Sequence, residues 1–233
     1  MSTEVQPQSP PVVSSVAMIR ALGLIAMIAG LLVVLVFQYT APIIKEKERR
    51  ALEKAVLRVI PGLNQEQATR IGFVLNTQGL VRSDETTTGE ANIFAVYDGA
   101  GKLAGIALQG AAQGYQDVVR TLYGYNPDCE CIVGLTIMKS TDTPGMGDKK
   151  TVEGDVKFMA NFKALFAKLT ADKRHVAHPI ETVKHGTKTD PWQVDAMSGA
   201  TITSKAIGNG LRKSTGELLP LVAQHLPEME VNK

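Results

Sequence analysis

The sequence predicts an α+β domain carried on a single N-terminal transmembrane helix. Three observations lead there: a charge-free apolar run near the N-terminus, short β-type runs separated by turn residues in the middle, and helical periodicity toward the end. The chain has 233 residues, with 25 Lys+Arg against 23 Asp+Glu and a formal charge of +2. That balance argues against a nucleic-acid binder, which carries a concentrated basic excess. With 44% hydrophobic residues a core can be buried. Two cysteines are too few for a disulfide scaffold or a protein-ligated iron–sulfur cluster.

Residues 1–17 open with a Pro- and Ser-rich stretch, expected to be an unstructured tail. No charged residue stands between Arg20 and Lys45. At about 1.5 Å per residue, roughly 20 residues cross a hydrocarbon core of about 30 Å, so the membrane helix is placed at 18–44. Tyr39 falls at headgroup level. A cleaved signal peptide is the alternative; its basic region would hold only Arg20 and the amino terminus, and no A-x-A site follows. Residues 45–62 form an amphipathic connecting helix. Leu52, Ala55, Val56 and Val59 share one face, Glu46 and Arg50 pair at i,i+4, and Pro61-Gly62 ends it. Residues 63–233 form the folded domain, in which 63–91 are polar and Thr-rich with little periodicity.

Ile93–Tyr97 and Leu103–Leu108, joined by Asp98-Gly-Ala-Gly, read as a hairpin. Asp117–Tyr123 is a further strand, and Asn126-Pro127-Asp128 turns the chain. Cys129–Met138 is another strand, with Cys131, Val133, Leu135 and Ile137 alternating. Val156–Leu169 reads as a helix with Phe158, Phe162, Leu165 and Leu169 on one side. A short strand near Glu181–Lys184 and a helix from about Ser204 to Leu226 finish the chain. A mainly antiparallel sheet with packed helices follows from this order.

The chemistry concentrates in Asp195-Ala196-Met197-Ser198-Gly199-Ala200-Thr201-Ile202-Thr203-Ser204. This is a small-residue loop opening a helix. Gly199 permits close backbone approach, and Thr201, Thr203 and Ser204 supply hydroxyls. The free N–H groups and positive end of a helix favour a phosphate there. Locally, the same residues also make an ordinary helix cap with a tight turn. A second loop, Asp142-Thr143-Pro144-Gly145-Met146-Gly147-Asp148, joins a stiffened turn to two glycines whose amides could approach a flat ring system. Alone it is merely a turn.

Together the two loops resemble a known family. D-x-x-[S/T]-G-A-T resembles the flavinylation motif of extracytoplasmic FMN-carrying proteins, with the acidic position on Asp195 and the small hydroxyl position on Ser198. The second loop resembles that family's E-T-P-G-L-G element, with Asp for Glu and Met for Leu. Gly114-Tyr115 resembles a further family element. The layout and the trailing Thr203-Ser204 resemble both the G subunit of Rnf electron-transport complexes and the C subunit of sodium-pumping NADH:quinone reductases, and the compact length with Gly147-Asp148-Lys149 after the Pro-Gly turn looks more like the former.

The resemblance implies FMN covalently attached through its phosphate to Thr201, by a flavin transferase that uses FAD. It implies a cofactor site of Ser198, Gly199, Ala200, Thr203, Ser204, Thr143, Pro144, Gly145, Met146 and Gly147, with Asp195 read by the transferase. No residue is expected to be catalytic in turnover, and no metal is expected. The implied function is an electron-transfer subunit of a ferredoxin:NAD oxidoreductase coupled to ion translocation, with other membrane subunits as partners. A membrane-anchored redox sensor and a non-redox anion-binding module are the alternatives of a different class.

Topology divides the two lines of reasoning. Lys45, Lys47, Arg49 and Arg50 follow the span and only Arg20 precedes it, so charge alone puts the domain in the cytoplasm. The resemblance puts it outside the cytoplasmic membrane, and that placement is the expectation adopted. Cys129 and Cys131, two apart on an expected strand, suit a mutual disulfide poorly. His175 and His178 read as surface histidines, and Trp192 as a side chain packed into the core.

Overall fold

The computed structural model describes residues 14–63, 67–76, 79–83 and 93–231. The Pro-rich start of the chain and Glu85–Glu90 lie outside the described residues. The chain divides into two compact units, Met1–Glu48 and Arg49–Lys233.

Helix α1 (Ser15–Arg58) is continuous over 44 residues, with Pro42 inside it. Its best 18-residue window has a mean hydropathy of 2.6, and none of that window is buried within the chain. Leu22, Ile25, Leu32, Val36 and Phe37 are all exposed. Thr40 donates its hydroxyl back to Val36 O at 2.8 Å, so this polar group is satisfied within the helix. The apolar part of this helix is long enough to cross a lipid core and is uncovered by the rest of the chain, and it makes the chain membrane-associated.

Among the described residues, the second unit is built on a seven-stranded antiparallel sheet in the order β2-β1-β3-β4-β5-β6-β7. The strands are β1 (Thr69–Asn76), β2 (Gly79–Arg82), β3 (Ile93–Tyr97), β4 (Leu103–Gln113), β5 (Val118–Asn126), β6 (Cys131–Lys139) and β7 (Leu165–Phe166). Between β6 and β7 lie the short helices α2 (Lys149–Gly154) and α3 (Val156–Ala160). A parallel pair follows, β8 (Glu181–Val183) with β9 (Gln193–Asp195), and then the long helix α4 (Thr201–Val231).

Both faces of the central strands are covered, which is why all five residues of β3 are buried. On one face Ile207, Leu211, Leu219 and Val222 of α4 join Ile93, Ile106, Leu108 and Tyr123. On the other, the end of α1 and the two residues after it lay Leu52, Ala55, Val56, Val59 and Ile60 on Phe94, Val96, Ala107 and Leu122. The apolar face expected from the spacing of residues 52–59 is the one that packs. Two glycines make this contact possible. Gly124 and Gly134 face each other across β5 and β6. A Cβ on them would sit 2.2 and 2.3 Å from Val59 O, so only glycine admits the backbone there.

The expected hairpin is β3–β4, and the strands at β5, β6 and β8 lie where the sequence put them. Four expectations need correction. Residues 63–91 contain two strands, β1 and β2, whose buried Ile71 and Phe73 carry a period of two too brief to stand out. The run Val156–Leu169 is not one helix. It ends at Ala160, passes through a 3-10 turn (Asn161–Lys163), and gives Leu165–Phe166 to the sheet edge beside Cys131 and Ile132. The apolar spacing was real, since Phe158, Phe162 and Leu165 are buried, but strand pairing claimed its end. Trp192 stacks on the exposed His178 at 4.1 Å and 13° instead of entering the core. Finally, Cys129 and Cys131 are joined in a disulfide. Cys129 lies in the β5–β6 turn, where Glu130 adopts φ 49°, and that bend brings the Cα atoms to 5.2 Å.

Candidate functional site

Helix α4 begins at Thr201 with no acidic residue in its first turn, so its exposed N–H groups keep their positive character. Gly199 sits at φ +82°, and a Cβ there would meet nothing within 4 Å; the residue is needed for its conformation. This turn leaves Ser198, Gly199 and Thr201 exposed while Ala200 is buried.

The structure brings the two loops together. Thr203 Oγ1 donates to Asp142 Oδ2 at 2.6 Å, and both residues are buried. Asp142 Oδ1 also accepts the Gln116 N–H at 3.3 Å, which ties in the β4–β5 turn. A Cβ on Gly147 would lie 2.3 Å from Thr203 Oγ1, so that glycine lets the 143–147 loop close onto the first turn of α4. Three exposed apolar side chains stand beside these ties along the chain: Tyr115, Met146 and Ile202. Tyr115 neighbours Gln116, Met146 neighbours Gly147, and Ile202 neighbours Thr203. Exposed apolar groups around a helix start with open N–H groups suit a ligand with a flat apolar body and an anionic end.

The remaining predicted residues divide by position. Thr143, Pro144, Gly145 and Met146 are exposed on the loop. Gly145 already donates its N–H to Asp148 Oδ1 at 2.8 Å. The Asp148 carboxyl is held below the usual carboxylate range, first by the Thr151 hydroxyl and then by the Gly145 amide. Ser204 is fully buried; its hydroxyl accepts from Met197 N at 3.0 Å and donates to Ala200 O at 2.9 Å. Thr203 and Ser204 therefore brace the loop from behind, while Ser198, Gly199 and Thr201 face outward.

Asp195 closes a second brace. Its Oδ1 accepts Gly186 N–H at 2.7 Å, and His185, whose Nδ1 bonds Ala196 O at 2.8 Å, lies 3.7 Å from its other oxygen. Asn161 clamps the Asp195 backbone, accepting its N–H at 3.1 Å and donating to its C=O at 3.2 Å. Lys188 Nζ donates to Asn161 Oδ1 at 3.1 Å. Burial lowers the Lys188 pKa, with the Asp195 carboxylate opposing. Asn161, Gln116 and Asp142's bracing role were not read from the sequence. A buried Asn inside an apolar-periodic run was the one trace of Asn161.

Residues 114–215 match the model of the FMN-binding domain family. The matched segment starts at the β4–β5 turn, takes in both loops and runs into α4, so it contains Gln116, Asp142 and Thr201. The chain is 28% identical over 197 residues to the G subunit of the ion-translocating oxidoreductase complex of Shewanella piezotolerans, covering 83% of this chain and 84% of that one. It is 30% identical over 125 residues to the G subunit of the Na(+)-translocating ferredoxin:NAD(+) oxidoreductase complex of Acetobacterium woodii, covering 52% and 54%. Among solved structures, Shewanella oneidensis NqrC superposes with a TM-score of 0.57 at 22% identity, covering 80% of this chain and all of that one. That likeness establishes a shared α+β fold.

Proposed function

We propose that this chain is the membrane-anchored, FMN-carrying electron-transfer subunit of an Rnf-type ferredoxin:NAD oxidoreductase complex that couples electron flow to ion translocation. Its relatives are the G subunits of such complexes. The observation that carries the proposal for this chain's own residues is the buried Asp142–Thr203 bond, which sets the two loops side by side behind an exposed Thr201.

The residues fit FMN. Thr201 Oγ1 would hold the phosphate as an ester, and the uncompensated start of α4 would stabilise its charge. Tyr115, Met146 and Ile202 would cover parts of the ring, and Pro144 would stiffen the loop that carries Met146. When bound, FMN supplies one- and two-electron chemistry; the protein supplies position and electrostatics. The Asp142 and Ser204 braces hold Thr201 outward, and Asn161 with Gly186 fixes Asp195, which would be the residue read by a flavin transferase.

The domain organisation proposed is a tail at 1–17, a membrane helix at 18–44, a connecting helix at 45–62 and the FMN-binding domain at 63–233, lying on the periplasmic side. The other subunits of the complex are the partners, and the transferase acts during maturation.

Co-expression with a flavin transferase tests the attachment. The chain should give a fluorescent band on a denaturing gel and a mass gain of one FMN less water on the peptide containing Thr201. Thr201→Val should lose both and keep its fold. An unmodified wild-type chain beside an active transferase would remove the covalent proposal. Co-purification with ferredoxin- and NAD-handling subunits supports the complex, whereas a quinone-reducing set would reassign it to the related reductase. Protease access from outside intact cells tests the orientation.

A further inference from the structure

The disulfide lies at the end of the β5–β6 hairpin remote from the hairpin end that meets the Thr201 loops, and nothing in the electron-transfer role uses it. Its two sulfurs are unequal. Cys129 is exposed in the turn, whereas Cys131 is 4% exposed on β6. The bond closes a ring across a single intervening residue, so it removes little loop-closure entropy from the unfolded chain.

The turn is also secured without it. Asp128 N–H donates to Asn126 Oδ1 at 2.8 Å, Asn126 pairs with Cys131, and Ala167 N–H donates to Glu130 O at 3.0 Å. The three residues before Cys129 in the turn, Asn126, Pro127 and Asp128, line a cavity of about 390 Å³ with Lys102, Leu103 and Glu230, and neither cysteine lines it. A covalent bond that adds little to the fold, between one exposed and one buried cysteine in a turn held by other contacts, has the form of an exchange site.

We propose that Cys129–Cys131 is a thiol–disulfide exchange site whose substrate is a dithiol protein, with Cys129 as the sulfur attacked. The thiolate of the partner attacks Cys129 Sγ and forms a mixed disulfide; the Cys129–Cys131 bond breaks, and Cys131 leaves as a thiolate and takes up a proton. The partner's second thiol then attacks its own sulfur in the mixed disulfide and releases Cys129, which is protonated in turn. Two electrons and two protons pass from the dithiol to the chain, leaving the partner oxidised.

The test uses the full chain in detergent and reduced thioredoxin whose second active-site cysteine is replaced by serine, so that the mixed disulfide persists. The expected result is a covalent adduct mapped by mass spectrometry to Cys129, absent in Cys129→Ser. With unmodified thioredoxin, Cys129 should become alkylatable without denaturant and Cys131 only on unfolding, and the circular dichroism spectrum should not change. No adduct with the folded chain, an adduct at Cys131 instead, or loss of the folded spectrum on reduction would each overturn the proposal. Repeating the trap with Thr201→Val should give the same adduct, because the exchange site does not depend on flavin attachment.

Discussion

Replacing Thr203 by Val keeps the shape of the side chain and removes one hydroxyl. In the structure that hydroxyl donates to the Asp142 carboxylate at 2.6 Å, with both groups buried. Asp142 would keep the weaker bond from Gln116 N–H at 3.3 Å. A hydrogen bond to a charged group contributes about 1.5–3 kcal/mol, and an under-satisfied buried carboxylate sits at the upper part of that range. Thr203→Val should therefore destabilise the domain by about 2–3 kcal/mol. For a domain of this size that corresponds to a fall in Tm of roughly 4–12 °C. The rate of FMN attachment at Thr201 should fall several-fold as well, because the same bond seats the 143–147 loop on the first turn of α4. Thermal melts, urea titrations and a gel-fluorescence time course measure the three quantities. Combining Thr203→Val with Asp142→Asn should cost clearly less than the two single changes added, since they share one bond. A Thr203→Val protein melting within about 1 °C of the wild type, or strict additivity in the double variant, would refute the bracing role.

Gly134→Ala places a methyl 2.3 Å from Val59 O and should cost about 3 kcal/mol, read from the urea midpoint; a cost under about 0.5 kcal/mol would show that the end of α1 does not seat in the glycine notch. Lys173 holds φ 55° in an exposed turn, so Lys173→Gly should stabilise the domain by about 0.5–1 kcal/mol, and a lower midpoint would contradict the strain. The Asp148 carboxyl has a folded pKa below its unfolded value, so its bond to the Gly145 amide is complete above the ordinary carboxylate pKa of about 4 and is lost as pH falls through the lower folded value. The Gly145 amide proton resonance should be constant from about pH 7 to about 4 and shift only below it; a transition between about pH 5 and 7 would rule this out.

The sequence by itself determined the parts of this protein that depend on local pattern. A charge-free run longer than a bilayer core needs no tertiary partner to be apolar, so α1 was legible from composition. The β3–β4 hairpin followed from alternation and its turn residues, and the tight turn at Gly199 that opens α4 from the run of small and hydroxyl residues. Gly199 announces a left-handed turn wherever it sits before a helix.

What joins distant segments was decided only by the tertiary structure. Nothing local marks Thr203 as the partner of Asp142, Gly147 as the surface it rests on, or Asn161 as the clamp of Asp195. Each is an ordinary residue until the fold supplies its neighbour. The same reason undid the long helix at 156–169, where the edge of β6 offered backbone partners that helical periodicity could not foresee. It also joined Cys129 to Cys131, because the hairpin turn bends the chain at Glu130 where a straight strand would have held the sulfurs apart. Side-chain spacing encodes which face is apolar; hydrogen-bond partners across the sheet and between loops exist only once the backbone has closed around them.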